Sequence, residues 1–205
     1  MDMNQIPEEP MSVPEENPSQ EPKQTPIIRD LLDYLGIVVL ALCLVISLFS
    51  FSGLRLCTVD GDSMLNTLHN GERLVTWDLF YSPQRNDIIV FHQTSQSNPK
   101  LNKPIVKRVI GLPGDTVYLN IFTQEATVLD ADGNVVLTEE SGTANVNAIY
   151  YASFYVEDGT VFVLGDNRDN SLDSRFSEIG LVDQRRILGK VVFRLTPFSQ
   201  MGTVS

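Results

Sequence analysis

The chain has 205 residues, room for roughly one domain with appendages, and its 42% apolar and 20% charged content excludes wholesale disorder and fibrous classes. It carries a formal charge of -11 at pH 7 and has no lysine-rich or arginine-rich stretch. Duplex and RNA binding therefore fall to the bottom of the list, and no nucleic-acid partner is expected.

Residues 1–33 hold eight acidic and two basic side chains and six of the eleven prolines, at positions 7, 10, 14, 18, 22 and 26. With no apolar periodicity and a proline every three or four residues, this segment reads as a disordered, extended acidic tail. From Tyr34 to Leu54 there follow 21 residues without a charge, centred on GIVVLALCLVISLFSFSGL. As a helix that run would span roughly 30 Å, the thickness of a bilayer's hydrocarbon core. It predicts one transmembrane helix. A cleavable secretory signal would follow a short basic region and precede a small-x-small site, and neither is present. Lys23 and Arg29 on one side are matched by Arg55 and Arg73 on the other, so basic residues do not settle orientation. Cys43 and Cys57 are separated by about 14 helical residues, roughly 20 Å, and cannot pair with each other. Metal-binding spacing is absent as well, and neither metal nor cofactor is expected.

Residues 55–205 read as one outer domain. Strand-like runs lie between turn signals at Asp87–His92, Pro104–Ile110, Asp115–Phe122, Ala126–Leu129, Asn134–Leu137, Ala152–Val156, Thr160–Leu164 and Leu188–Leu195. Asp132-Gly133 and Asp158-Gly159 read as hairpin turns. No long 3.6-residue apolar period follows the anchor. The expected fold class is all-β, mainly antiparallel sheets, with one N-terminal transmembrane helix.

Three polar constellations interrupt this pattern. In VDGDSMLNTL, Ser63 flanked by Gly61 and Met64 suits a nucleophile on a turn, where its backbone N–H would face a developing oxyanion. The bland alternative is an acidic surface turn. In PIVKRVIGLPGD, Lys107 shares a strand face with Ile105 and Val109. An apolar setting lowers an ammonium's pKa, and a neutral amine takes a proton from a serine hydroxyl. The alternative is a lysine snorkelling from an edge strand. In GDNRDNSLDSR, Asp166, Asp169 and Asp173 against Arg168 and Arg175 suggest a buttressed network that fixes a backbone beside a site.

The order SxM, then KRVIGLPGD, then GDNRDNSxDSR, after an N-terminal anchor, resembles the type I bacterial signal peptidases. The likeness runs through most of residues 56–197 and includes RNDIIVF, Arg85–Phe91, similar to the family's RGDIVVF strand. The resemblance implies a membrane-anchored serine endopeptidase that removes signal peptides from exported preproteins by a Ser-Lys dyad and an acyl-enzyme. Ser63 matches the nucleophile, Lys107 the general base, and Ser171 the serine that orients the lysine amine. Asp173 and Arg175 resemble the pair bracing the site, Asp166 and Arg168 scaffold residues of the same loop, and Met64 the methionine under the nucleophile. Gly61 stands where some members carry a serine that donates to the oxyanion, so backbone or water must serve. The implied partners are signal peptides and the lipid bilayer. The implied form is a monomer with residues 1–33 cytoplasmic and residues 55–205 outside, cutting after small residues at the first and third positions before the bond.

Two departures from the family pattern stand out. Asn66 replaces the proline of SMxPT, which should loosen that turn by about 0.4–1 kcal/mol. Asn86 replaces the glycine of RGD, and asparagine tolerates a positive φ best among the alternatives. His69 and His92 are the only imidazoles, and neither falls in a shared motif, which disfavours histidine-based catalysis. A self-cleaving repressor of related core would need a DNA-binding domain in place of the anchor. A catalytically silent membrane-bound module is the remaining alternative, motivated by Asn66 and the irregular stretch Thr138–Tyr150.

Overall fold

A computed structural model describes residues 26–51, 53–94, 99–120, 122–142 and 151–204. Residues 1–25 of the expected tail, Ile121 and most of the stretch before Tyr150 lie outside the described residues. Two units separate, residues 1–45 and residues 46–205.

The N-terminal helix α1 runs from Pro26 to Phe51, starting eight residues before the uncharged segment and stopping short of Leu54. The absence of charge marks the bilayer-soluble part of a helix, whereas its ends depend on backbone signals. Pro26 is such a start: at the first helical position its missing N–H costs nothing. Gly53, at φ +69, gives the left-handed turn that leads into the first strand. Ile27–Leu48 has a mean hydropathy of 2.6, and every side chain along it is exposed. From Tyr34 to Leu48 the helix carries no charge on any face, which suits a bilayer span.

From Leu54 onward the described residues of the second unit are β, with only short 3-10 turns besides. Its strands are β1 (Leu54–Thr58), β2 (Arg73–Trp77), β3 (Ile88–His92), β4 (Pro104–Gly111), β5 (Thr116–Asn120), β6 (Glu125–Leu129), β7 (Val135–Glu140), β8 (Tyr151–Tyr155), β9 (Thr160–Leu164), β10 (Val182–Asp183) and β11 (Ile187–Thr196). They form a seven-stranded sheet in the order β1-β2-β11-β3-β4-β9-β10 and a four-stranded sheet in the order β7-β6-β5-β8. Every strand pairing is antiparallel.

Strand β3 reads as an unbroken apolar run because it is buried on both faces. Ile88 and Val90 pack with Met64, Leu68, Leu74 and Val191. Ile89 and Phe91 pack with Val109, Val161 and Val163 on the other side. The smaller sheet covers Ile110, Phe162 and Leu164 with Val117, Leu119, Ala126 and Val128. Asp132-Gly133 does join a hairpin, β6 to β7. Asp158-Gly159 does not: it turns the chain, but β8 pairs with β5 and β9 with β4, so the dipeptide passes the chain between sheets. A turn dipeptide fixes local direction, and the two strands here find better-matched neighbours elsewhere.

Candidate active site

The segment between β1 and β2 leaves the sheet at Val59 and returns at Glu72. Val59 N–H donates to Glu72 O and Gly71 N–H to Val59 O, both at 2.9 Å, closing the loop at its base. Inside it, Leu68 N–H donates to Met64 O at 2.8 Å, and Met64 is buried in the core with 1% exposure. The apolar Met64 and Leu68 thus pin a tight turn from below and leave Ser63 at its rim.

Lys107 occupies the middle of β4. Its Nζ lies 2.5 Å from Ser63 Oγ and donates to Val106 O at 3.0 Å. The side chain is buried, 2% exposed, on the strand face shared with Ile105 and Val109. Burial lowers its pKa from 10.5 to about 8, against the opposing pull of the Asp173 and Asp166 carboxylates. Loss of hydration penalises the ammonium, and the nearby negative charges only partly restore it. The result is an amine neutral in a large fraction of molecules near pH 8 and already in contact with a hydroxyl.

The loop after β9 stands against this pair. Asn167 N–H donates to Ser63 O at 3.0 Å, and its side-chain amide donates to Asp62 O, also at 3.0 Å. Gly165 sits so close that a Cβ there would lie 2.5 Å from Ser63 O and would collide with the Ser171 hydroxyl. Only glycine fits. Ser171 Oγ itself is buried and has no hydrogen-bond partner among the described residues. The Lys107 amine is thus held by Ser63 and Val106, and the contact the resemblance implies with Ser171 is not formed.

Asp173 and Arg175 brace the loop from inside. Arg175 donates from Nε and Nη2 to the two Asp173 oxygens and from Nη1 to Ser141 O at 2.6 Å. Asp166 accepts two bonds from Arg108, at 2.9 and 2.8 Å, and one from Thr67 Oγ1 at 2.5 Å. Burial pushes the Asp166 carboxyl up, but those donors outweigh it and hold it below the usual carboxylate range. Arg168 donates to Gly165 O at 2.9 Å, to Glu140 O, and pairs with Glu139. Asp166, Arg168, Asp173 and Arg175 of the third motif thus converge around one loop. Gly61, at φ +103, is exposed and donates its N–H to Asn70 Oδ1.

A cleft of about 160 Å³ runs up to the Ser63–Lys107 pair. Cys57–Asp60 and Lys103–Lys107 line it, together with Val90, Leu101 and Leu172.

A family model described as signal peptidase, peptidase S26, matches residues 31–196. The chain belongs to the signal peptidase family. Signal peptidase I of Leptolyngbya laminosa is 36% identical over 154 residues, 70% of each chain. The probable signal peptidase I-1 of Synechocystis is 39% identical over 153 residues, 70% of this chain and 72% of its own. Signal peptidase I of Bacillus caldolyticus is 36% identical over 182 residues, 78% of this chain and 88% of its own. The crystal structure of a signal peptidase I from Enterococcus faecalis V583 aligns with a TM-score of 0.37 at 27% identity, covering 55% of this chain and 98% of that one.

In this signal peptidase family member, three site residues are absent from those the sequence motifs single out. Arg108 and Thr67 hold Asp166, and Asn167 holds the Ser63 carbonyl. Arg108 directly follows Lys107 in the second motif, and strand alternation aims it to the opposite face, toward the loop carrying Asp166. That alternation is a usable signal. Thr67 and Asp166 are 99 positions apart, and nothing local links them. The two departures resolve differently. Asn86 has φ +70, as expected of asparagine in a glycine position. Asn66 has φ +84, a conformation closed to proline, so this turn is differently built and not a looser copy of the proline form.

Proposed function

We propose that this protein is a membrane-anchored signal peptidase I that cuts signal peptides from exported preproteins with a Ser63–Lys107 dyad. The observation that carries this reading is a 2.5 Å contact between the serine hydroxyl and a lysine amine that is 2% exposed. Neutral Lys107 accepts the Ser63 proton as Oγ attacks the scissile carbonyl. The tetrahedral oxyanion is met by the Ser63 backbone N–H, since Gly61 has no side-chain donor to add. The lysine, now an ammonium, gives its proton to the departing amine. It then takes a proton from a water that attacks the ester, and returns that proton to Ser63 Oγ as the acid product leaves. Asp173, Arg175, Asp166 and Arg168 are positioning residues in this scheme.

The substrate is read as an extended strand along β4. Strand β9 pairs with β4 only from Arg108 onward, which leaves Pro104–Lys107 with an open edge beside the cleft. The narrow cleft suits small side chains before the cleaved bond. Ser63 follows Phe51, the last residue of α1, by 12 residues, so even an extended chain keeps it within about 40–43 Å of the anchor's end. The cut is placed on the membrane-facing side of the β domain, with the chain before the anchor cytoplasmic and the β domain outside. The test is incubation of detergent-solubilised protein with a model preprotein and mass measurement of the products. Wild type yields a single cut after a small-x-small site. Ser63→Ala, which removes the nucleophile, and Lys107→Arg, whose guanidinium does not deprotonate, each abolish cleavage. Near-normal turnover by either variant would sink the dyad.

A further inference from the structure

Asp60, just after β1, and Lys103, just before β4, both line the cleft, with Oδ2 and Nζ 2.6 Å apart. We propose, resting on the function above, that this ion pair is a polar rung across the substrate groove that fixes how closely a signal peptide's apolar segment approaches the cleaved bond.

Its place in the groove is what sets it apart. Both side chains are substantially exposed, 76% for Asp60 and 46% for Lys103, and an exposed pair of this kind adds little to stability. Holding the fold together is therefore not its purpose. The rest of the lining is largely apolar, from Cys57, Val59 and Val90 to Ile105 and Leu172. Apart from Thr58 and the Ser63–Lys107 pair, the two charges are the exception, and they meet each other. The Lys103 ammonium holds the Asp60 carboxyl below its ordinary range.

Distance along the strand converts the rung into a ruler. Lys103 precedes Lys107 by four residues, about 13 Å of extended chain. A substrate strand running parallel to β4, with its scissile carbonyl at Ser63, crosses the rung about four residues before the cleaved bond. A small or polar residue passes there without loss. A large apolar one would strip water from two charges and give them nothing in return. Bonds lying closer than that to the apolar segment are thereby kept out of reach.

The test uses the full-length, detergent-solubilised protein and a preprotein carrying two identical Ala-x-Ala sites, one ending three residues and the other seven residues after its apolar segment. Wild type should cut the distal site. The double variant Asp60→Ala with Lys103→Met should raise the ratio of proximal to distal product by about ten-fold or more, the scale on which an apolar pocket discriminates. The swap Asp60→Lys with Lys103→Asp rebuilds the rung and should restore the wild-type ratio. An unchanged ratio in the double variant, or a swap that fails to restore it, overturns the ruler. Loss of all cutting by a folded double variant also overturns it, in favour of a simple binding contact. If no form cuts, wild type included, the proposed function itself fails.

Discussion

Asp173 and Arg175, two residues apart, share two hydrogen bonds of 2.8 and 2.9 Å at 0% and 1% side-chain exposure. The same carboxylate accepts Gly165 N–H at 3.0 Å, and the same guanidinium reaches Ser141 O and Arg168 O. One buried pair therefore fixes both ends of the loop whose Asn167 N–H holds the Ser63 carbonyl. Any movement of that pair is passed to the reacting hydroxyl through two hydrogen bonds.

Removing the carboxylate leaves Arg175 charged and buried with only carbonyl partners. Asp173→Ala should then lose about 3–5 kcal/mol, the usual result of unpairing a buried ion. For a domain of this size that lowers Tm by roughly 10 °C or more. Turnover should fall with it at temperatures where the variant is still folded. Thermal unfolding and preprotein cleavage, measured on the same sample, check both halves. An unchanged Tm and rate would make the loop a solvated surface feature.

The cleft beside Ser63 is narrow and mainly apolar in its lining, about 160 Å³ in all. Such a site discriminates by only about 1–3 kcal/mol per extra methylene. Changing the residue just before the cleaved bond from Ala to Val should slow cleavage by roughly 10–200-fold, and Ala to Phe should nearly stop it. Competition between preproteins differing only at that position measures the ratio. Equal cutting of the Ala and Phe forms would count against β4 as the substrate edge.

Much of this arrangement is legible in the amino-acid order, and what is not has identifiable physical causes. Period-two alternation puts Lys107 with Ile105 and Val109, and all three share one packed face. Strand β3 shows as a plain apolar run because both its faces are covered. Strand β1 does not show, because LRLCT continues directly from the anchor's apolar run and has no boundary of its own. Strand β2, RLVTW, is missing from the expected runs although the Asn70-Gly71 turn just before it marks its start. The pairing of Thr67 and Arg108 with Asp166 joins three distant segments, which only the folded sheet brings together. Asn66 shows a further limit: a residue compared with a family proline suggests a weakened version of the same turn, whereas its φ is of opposite sign.

That sign makes a mutational forecast. Restoring the family residue by Asn66→Pro should destabilise the protein, because proline's φ near −65° cannot reach +84°. The expected cost is about 1–3 kcal/mol, with a loss of activity as the turn carrying Ser63 rearranges. Asn66→Gly reaches the same φ freely and should change stability by less than about 0.5 kcal/mol. Denaturant unfolding of the two variants decides the matter. A stabilised Asn66→Pro would mean that the turn adopts the proline form.

The pH dependence follows from Lys107, whose pKa burial lowers from 10.5 to about 8. Only the neutral amine accepts the Ser63 proton, so kcat/KM should fall about ten-fold for each step of one in pH below 8 and level off above it. Stability carries the same signature. Below pH 8 the folded and unfolded chains both hold the proton, and the full cost of burying the ammonium is present. Between pH 8 and 10.5 the unfolded chain binds the proton and the folded chain does not, so stability rises with pH through that window. The full swing is roughly 3 kcal/mol, since each tenfold change in proton affinity corresponds to about 1.36 kcal/mol. Lys107→Met has no proton to lose, so its stability relative to wild type should decline as pH climbs from 7 to 10. Urea unfolding of the two proteins at matched pH values measures that difference. A constant gap across the range, or a rate profile flat through pH 8, would mean that Lys107 keeps an ordinary pKa and is not the base.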